Sequence, residues 1–262
     1  MGGRLLLRIE DIDAERCRPA FEAAIIADLD WLGIGFDAVV RRQSEHMADY
    51  RAALDALRAR GLIYACQCSR GDIRSAWAAR GPATPRDPDG APLYPGTCRP
   101  ALQGTGPGLA GTKAAAEGDA ETVLSWRLDM ALALDEIGPD AGYRLFAPDR
   151  PEMLCQIRPD RWGDVVLGRK HTPTSYHLSV VVDDALQGVT HVVRGRDLEA
   201  ATDIHVVLQK LLGLPTPRYQ FHDLVLDEQG EKLAKSRNAP ALADLREAGM
   251  TPADVRRQLG FA

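Results

Sequence analysis

Apolar and polar positions fall into two periods along the chain. Arg4 to Glu10 (RLLLRIE) is an apolar run with little alternation, which predicts a buried strand. From Pro19 the apolar positions Ala23, Ile26, Leu29 and Leu32 recur at helical spacing, with Pro in the first turn and Gly33 beyond the end. Met47, Tyr50, Leu54 and Leu57 form the next stripe, on a helix expected to start at a Ser44 cap, run to Arg60 and stop before Gly61. Leu62 to Cys66 (LIYAC) returns to a strand pattern, so the opening predicts a crossover α/β layout with a parallel sheet.

Further along, Ser69 to Arg80 predicts a short helix, and Thr122 to Leu128 and Asp164 to Arg169 predict strands. Gln103 to Gly118, rich in Gly and Ala, reads as a mobile connection, and the stretch on to Arg161 fits neither period. Ser175 to Asp183 (SYHLSVVVD) predicts the most strongly buried strand of the chain, and His191 to Arg194 another. A helix from Ala200 to Leu212 ends at Gly213 with Pro215 beyond, and Tyr219 to His222 leads into a polar turn. Two short helices close the chain, the second opening at Thr251-Pro252-Ala253-Asp254.

Composition narrows the function classes. The 262 residues suffice for one large or two small domains, and 45% hydrophobic residues supply a sizeable core. A formal net charge of -5 gives no global case for nucleic-acid binding, so any RNA contact must come from a local basic patch. Arg256 and Arg257 read as a solvated helix face. No apolar run approaches the ~20 residues of a membrane helix, and the N-terminal run is too short for a signal peptide. The expected location is therefore cytoplasmic. Five cysteines, odd in number and unevenly spaced, suggest metal before disulfides in a reducing compartment.

Four places carry candidate chemistry. Glu10 ends a predicted strand, where α/β sheets bind ligands, and suits an ammonium group; Asp11 and Asp13 suit capping or loop contacts. Cys66, Cys68 and Cys98 bracket a proline-rich segment with little core of its own. Three thiolates and a fourth donor would make a closed tetrahedral zinc site, the fourth being Tyr94, Asp87, Asp89 or water. Arg194, at another strand end, suits a carboxylate, and Tyr176 opens the predicted strand beside it. Lys232-Leu233-Ala234-Lys235-Ser236 places two mobile ammonium groups where a phosphate chain could lie. Each alone is also compatible with a plain structural role.

Together, the order RIEDID, YHLSVVVDDALQGVTHVVRGRDL and KLAKS resembles the catalytic core of class I glutamyl-tRNA synthetases from Arg4 to about Pro240. The C-x-C and Y-x-x-x-C spacings resemble the short paralogues, the glutamyl-queuosine tRNA(Asp) synthetases. The resemblance implies an α/β, Rossmann-like catalytic core over residues 1–64 and 166–222 and a zinc-stabilised insert over 65–165. The KLAKS loop and a small helical tail occupy 223–262, with no anticodon-binding domain. It implies that Glu10, Tyr176 and Arg194 hold glutamate, and that Lys235 contacts ATP with Lys232 beside it. It also implies that Cys66, Cys68, Tyr94 and Cys98 bind structural Zn2+.

ATP is then a substrate, with Mg2+, and the tRNA partner is tRNA(Asp) bearing queuosine. The ligase is expected to act as a monomer. Ala234 stands where the family commonly has a serine. The family's opening strand and histidine-containing ATP motif would precede Arg4, and none of the six histidines is followed by x-Gly-His, so Met1 is read as a misplaced start or a truncation. Two alternatives remain: a discriminating glutamyl-tRNA synthetase fragment, and an inactive zinc-stabilised binding protein.

Overall fold

The computed structural model describes residues 2–13, 16–37, 40–100, 124–227, 230, 232–233 and 240–261. The chain divides into two compact units, residues 1–46 with 223–262, and residues 47–222.

In the first unit the predicted Arg4–Glu10 strand shrinks to β1, Arg8–Ile9, paired in parallel with β2, Arg41–Arg42. Leu5 is instead tied to Asp37, its N–H donating to Oδ2 at 2.9 Å, and its side chain is 53% exposed. The apolar run is therefore only partly buried, and two of its residues find a ladder partner. Helix α1, Pro19–Trp31, starts at the predicted proline, and Gly33 follows its end at φ +71°, a conformation that glycine adopts without strain. Its predicted stripe is at most half-buried, with Ala23 exposed. Ser44 does not cap the next helix. It lies in a 3-10 turn, Gln43–His46, and gives its N–H and hydroxyl to the Asp11 carboxylate at 2.9 and 2.5 Å. Two short helices, Leu242–Glu247 and Pro252–Gln258, complete the unit; the second carries the expected Thr251–Asp254 capping box.

The second unit holds the main core. Helix α2, Met47–Ala59, buries Tyr50, Leu54 and Leu57 as its stripe predicts. Strands β3 (Ile63–Cys66), β4 (Ser125–Leu128) and β7 (Val166–Gly168) form an antiparallel sheet in the order β3-β4-β7. Helix α3 is Arg70–Ala78, and α4 is Met130–Ile137. A second sheet has the order β6-β5-β9-β8, from β5 (Gly142–Ala147), β6 (Arg150–Gln156), β8 (His191–Gly195) and β9 (Arg218–His222). Within this sheet only the β5–β9 and β9–β8 pairings are parallel, so the expected parallel sheet is a mixed one. The Gln103–Gly118 connection, and Thr122 with Val123, lie outside the described residues.

The largest departure is Ser175–Asp183. It is not a strand but the start of helix α5, Tyr176–Leu186. Leu178 through Asp183 are all buried, so the segment has no polar face to reveal a helical period, and Val180-Val181-Val182 imitates a strand. Asp183, fully buried, accepts from Tyr50 Oη at 2.9 Å and fixes α5 to α2. Helix α6, Thr202–Leu211, packs beside α5 and is buried on almost every side. No helix among the described residues is long and apolar enough to cross a membrane.

Candidate active site and metal centre

The metal candidates converge. Cys66 ends β3, and Ser69 turns the chain into α3 through a capping box with Asp72, which sets Cys68 beside Cys66. The proline-rich segment folds back through the Arg86–Pro92 bridge and is held by Trp77, whose Nε1 donates to Leu93 O at 2.7 Å. This brings Tyr94 and Cys98 to the two cysteines. The three sulfurs lie within 4.8 Å of one another, and among the described residues no carboxylate or imidazole joins them, which sets Asp87 and Asp89 aside.

Cys68 Sγ is 3.6 Å from Cys98 Sγ, and Tyr94 Oη is 3.4 Å from Cys66 Sγ and 3.7 Å from Cys68 Sγ. A tetrahedral zinc with bonds of about 2.3 Å to sulfur and about 2.0 Å to oxygen has edges of about 3.8 Å (S···S) and about 3.5 Å (S···O). The donor set therefore fits a zinc ion. Burial pushes the Cys68 thiol up to about 11 and raises the Tyr94 phenol as well, so without a metal both are neutral at pH 7. Burial also pushes on Cys98, but hydrogen bonds from Tyr94 and the Gln67 backbone outweigh it and hold that thiol below its ordinary value. The Cys98 N–H donates to Tyr94 Oη at 2.8 Å, which orients the phenol oxygen among the sulfurs.

The same unit brings Tyr176 and Arg194 to one imidazole, that of His205. Arg194, near the end of β8, donates to His205 Nδ1 at 3.1 Å and to Thr202 Oγ1. Its guanidinium lies over the rings of Tyr219 and Phe221, 5.2 and 5.8 Å from their centroids. The Tyr176 ring, at the start of α5 rather than of a strand, is 5.6 Å from the His205 ring. His205 Nε2 in turn is 3.3 Å from His177 Nδ1. Burial, with Arg194 and Arg169 nearby, lowers His177 to about 4, so it is neutral at pH 7. Tyr176 and His177 line a cleft of about 510 Å³, whose wall also includes Tyr94, Arg127, Trp162 and Arg169.

Glu10 and Lys232 belong to the first unit. Glu10 is exposed, with its carboxylate 3.6 Å from the Arg8 guanidinium. Lys232 is exposed and forms an antiparallel bridge with Leu226, with the Leu233 N–H donating to Val225 O at 3.0 Å. Lys235 lies outside the described residues, as do Ala234 and Ser236.

Sequence reasoning missed His177, His205, Thr202 and Arg127. The signal for the α6 pair was weak but present. Thr202, Asp203, His205 and Gln209 put polar side chains around a helix that has too little exposed surface to solvate them. Arg127 sits mid-strand, where an arginine ordinarily reads as the solvent face.

Residues 1–90 and 147–260 match the family described as tRNA synthetases class I (E and Q), catalytic domain. A protein of Rhodobacter capsulatus named Glutamyl-Q tRNA(Asp) synthetase is 48% identical over 263 residues, covering 99% of this chain and 89% of the relative. One of the same name from Thiobacillus denitrificans is 38% identical over 244 residues, covering 93% and 70%. A solved glutamate tRNA ligase from Elizabethkingia meningosepticum superposes with a TM-score of 0.61 at 22% identity, over 95% of this chain and 47% of that one, a likeness of fold. The chain belongs to the class I tRNA synthetase family, in its glutamyl-Q tRNA(Asp) synthetase branch, and is a ligase of the synthetase type.

Proposed function

We propose that this protein activates glutamate with ATP, without tRNA, and then transfers the glutamyl group to the queuosine base at the anticodon wobble position of tRNA(Asp). The observation that carries the reading is the placement of Arg194. Its two terminal nitrogens are held by His205 and Thr202, with the Tyr176 ring against the same imidazole, in a chain whose curated relatives bear the glutamyl-Q name. A guanidinium fixed in this way presents a carboxylate-matching fork at low entropic cost. Among the described residues its Nε is buried with no hydrogen-bond partner, which leaves one donor of the fork unused.

In the first step a glutamate α-carboxylate oxygen attacks the α-phosphorus of ATP, giving glutamyl-adenylate and pyrophosphate. Arg194 and Tyr176 would hold glutamate, and Glu10 its α-ammonium. Lys235, with Lys232 nearby, would neutralise charge on the departing pyrophosphate, with Mg2+ accompanying the nucleotide. In the second step a queuosine hydroxyl attacks the glutamyl carbonyl, loses its proton and releases AMP. Cys66, Cys68, Tyr94 and Cys98 would hold a structural zinc ion that fastens the proline-rich segment. The catalytic core would comprise residues 1–64 and 166–222, interrupted by the insert 65–165 and followed by the loop and tail at 223–262. The enzyme would act as a monomer in the cytoplasm, on its tRNA.

The test is glutamate-dependent ATP–pyrophosphate exchange without tRNA, followed by transfer of labelled glutamate to tRNA(Asp). The expected result is exchange, and labelling of queuosine-containing but not unmodified tRNA(Asp). Charging of tRNA(Glu) at its terminal adenosine would replace this reading with a discriminating synthetase. Glutamate binding with no exchange, with or without tRNA, would replace it with a zinc-stabilised binding protein.

A further inference from the structure

Arg127 is the one guanidinium in contact with the sulfur cluster among the described residues. It sits on β4 opposite Tyr64 of β3 and is only 8% exposed. Its Nε donates to Cys66 Sγ at 3.3 Å, its Nη1 donates to Asp164 O at 2.8 Å, and its guanidinium carbon lies 3.9 Å from the centroid of the Tyr94 ring. It thus touches two of the four candidate metal ligands. Among the described residues no carboxylate forms an ion pair with it, and the Asp164 carboxylate is engaged by Arg99, whose Nε donates at 2.8 Å.

A buried cation with no anion beside it is strongly unfavourable, so the guanidinium calls for a negative partner. Zinc binding provides one. Metal displaces the thiol protons, and three thiolates around one divalent ion leave a net negative charge in a largely buried place. We propose that Arg127 is the counter-charge of the metal cluster, an outer-sphere partner that raises zinc affinity and is itself electrostatically satisfied only when the metal is bound. The same residue lines the 510 Å³ cleft, so metal loading would also fix one wall of it. The inference rests on the zinc reading of the cluster.

The test is zinc competition against a chromophoric chelator, starting from the zinc-loaded protein, together with the rise in Tm that zinc confers. Arg127→Met is expected to weaken zinc binding about ten- to a hundred-fold, the range for outer-shell partners, and to shrink the zinc-dependent rise in Tm. A merely structural arginine would lower Tm with and without zinc alike and leave that rise unchanged. Arg127→Lys keeps the charge but loses the Nε donor and the planar cover of Tyr94, so it should fall between. It also keeps the test decisive if the methionine variant does not fold. Arg58→Met, whose guanidinium lies over the adjacent Trp126 ring, should leave zinc affinity unchanged. Wild-type zinc affinity in either Arg127 variant overturns the proposal. A wild-type protein that takes up no zinc overturns the zinc reading itself.

Discussion

His205 accepts a hydrogen bond at Nδ1 from the Arg194 guanidinium, 3.1 Å away. Arginine has only donors, so this contact fixes the His205 proton on Nε2, which then donates to His177 Nδ1 at 3.3 Å. Arg194, His205 and His177 thus form a directional chain that runs from a strand end to the wall of the cleft.

If Arg194 binds glutamate, His205 sets its aim. His205→Asn offers an amide oxygen close to where Nδ1 lies and should keep KM for glutamate within a few-fold of wild type. His205→Leu should raise KM about ten- to a hundred-fold, since small displacements of a positioning group are costly. Initial rates of pyrophosphate exchange against glutamate concentration check this. Equal KM values for the two variants would remove the positioning role.

The lowered His177 value has a sign that can be checked. The folded state holds the imidazole neutral down to about pH 4, whereas the unfolded chain takes up a proton near pH 6.5. Between these values the unfolded state binds more protons, so stability falls as pH drops from about 6.5 to about 4. The loss from this residue is on the order of 2–3 kcal/mol. His177→Gln should flatten that slope in urea denaturation measured across the window. A variant that keeps the wild-type slope would place the titration elsewhere.

Segments with a polar side or a local stop signal were legible in the sequence, as α2 and the Gly213-terminated α6 show. The α2 stripe of Tyr50, Leu54 and Leu57 has a polar side, so its period shows. Helix α5 has no polar side over Leu178–Asp183 and was indistinguishable from a strand. The cysteine cluster was legible because Cys66, Cys68 and Cys98 flank a segment with few core residues of its own, although spacing alone left the fourth donor open. Arg194 was visible as a strand-end arginine. His205 was not, because its role depends on α6 lying beside β8, a long-range packing outcome that no local pattern encodes.

Tyr50 and Asp183 offer a test of the α2–α5 contact. The hydroxyl reaches both carboxylate oxygens at 2.9 Å, and both residues are fully buried. Tyr50→Phe removes one donor and leaves the ring in place, so the change isolates the hydrogen bond. The expected destabilisation is about 1–3 kcal/mol, read as a lower urea midpoint with unchanged m. Asp183→Asn keeps an oxygen that can accept from the Tyr50 hydroxyl and should cost less than Tyr50→Phe. The reverse order would mean that the carboxylate charge itself is stabilised by the surrounding helices.

Gly142 tests the second sheet. A Cβ built there would lie 2.5 Å from the Cys155 carbonyl oxygen across the β5–β6 pair. The obstacle is backbone and cannot swing aside, so Gly142→Ala must part the two strands locally. The expected loss is about 1–3 kcal/mol. Gly61→Ala, with φ +69° but open space around its Cβ, should cost about 1 kcal/mol from backbone strain alone. Thermal denaturation of the two variants side by side separates steric from conformational cost; equal losses would mean that the strand pair opens without resistance.

Tyr94→Phe separates the oxygen from the ring. Phenylalanine preserves the aromatic face 3.9 Å beneath Arg127 and removes only Oη, which sits 3.4 and 3.7 Å from two cysteine sulfurs. If that oxygen completes a tetrahedral zinc site, its loss should weaken zinc binding by at least about tenfold and raise the alkylation rate of Cys68 and Cys98 in the presence of limiting zinc. The Trp77–Leu93 hydrogen bond anchors the loop independently, so the fold of the second unit should survive and the readout should be metal retention rather than unfolding. Affinity unchanged in the phenylalanine variant would assign the fourth position to water and leave Tyr94 as a packing residue under Arg127.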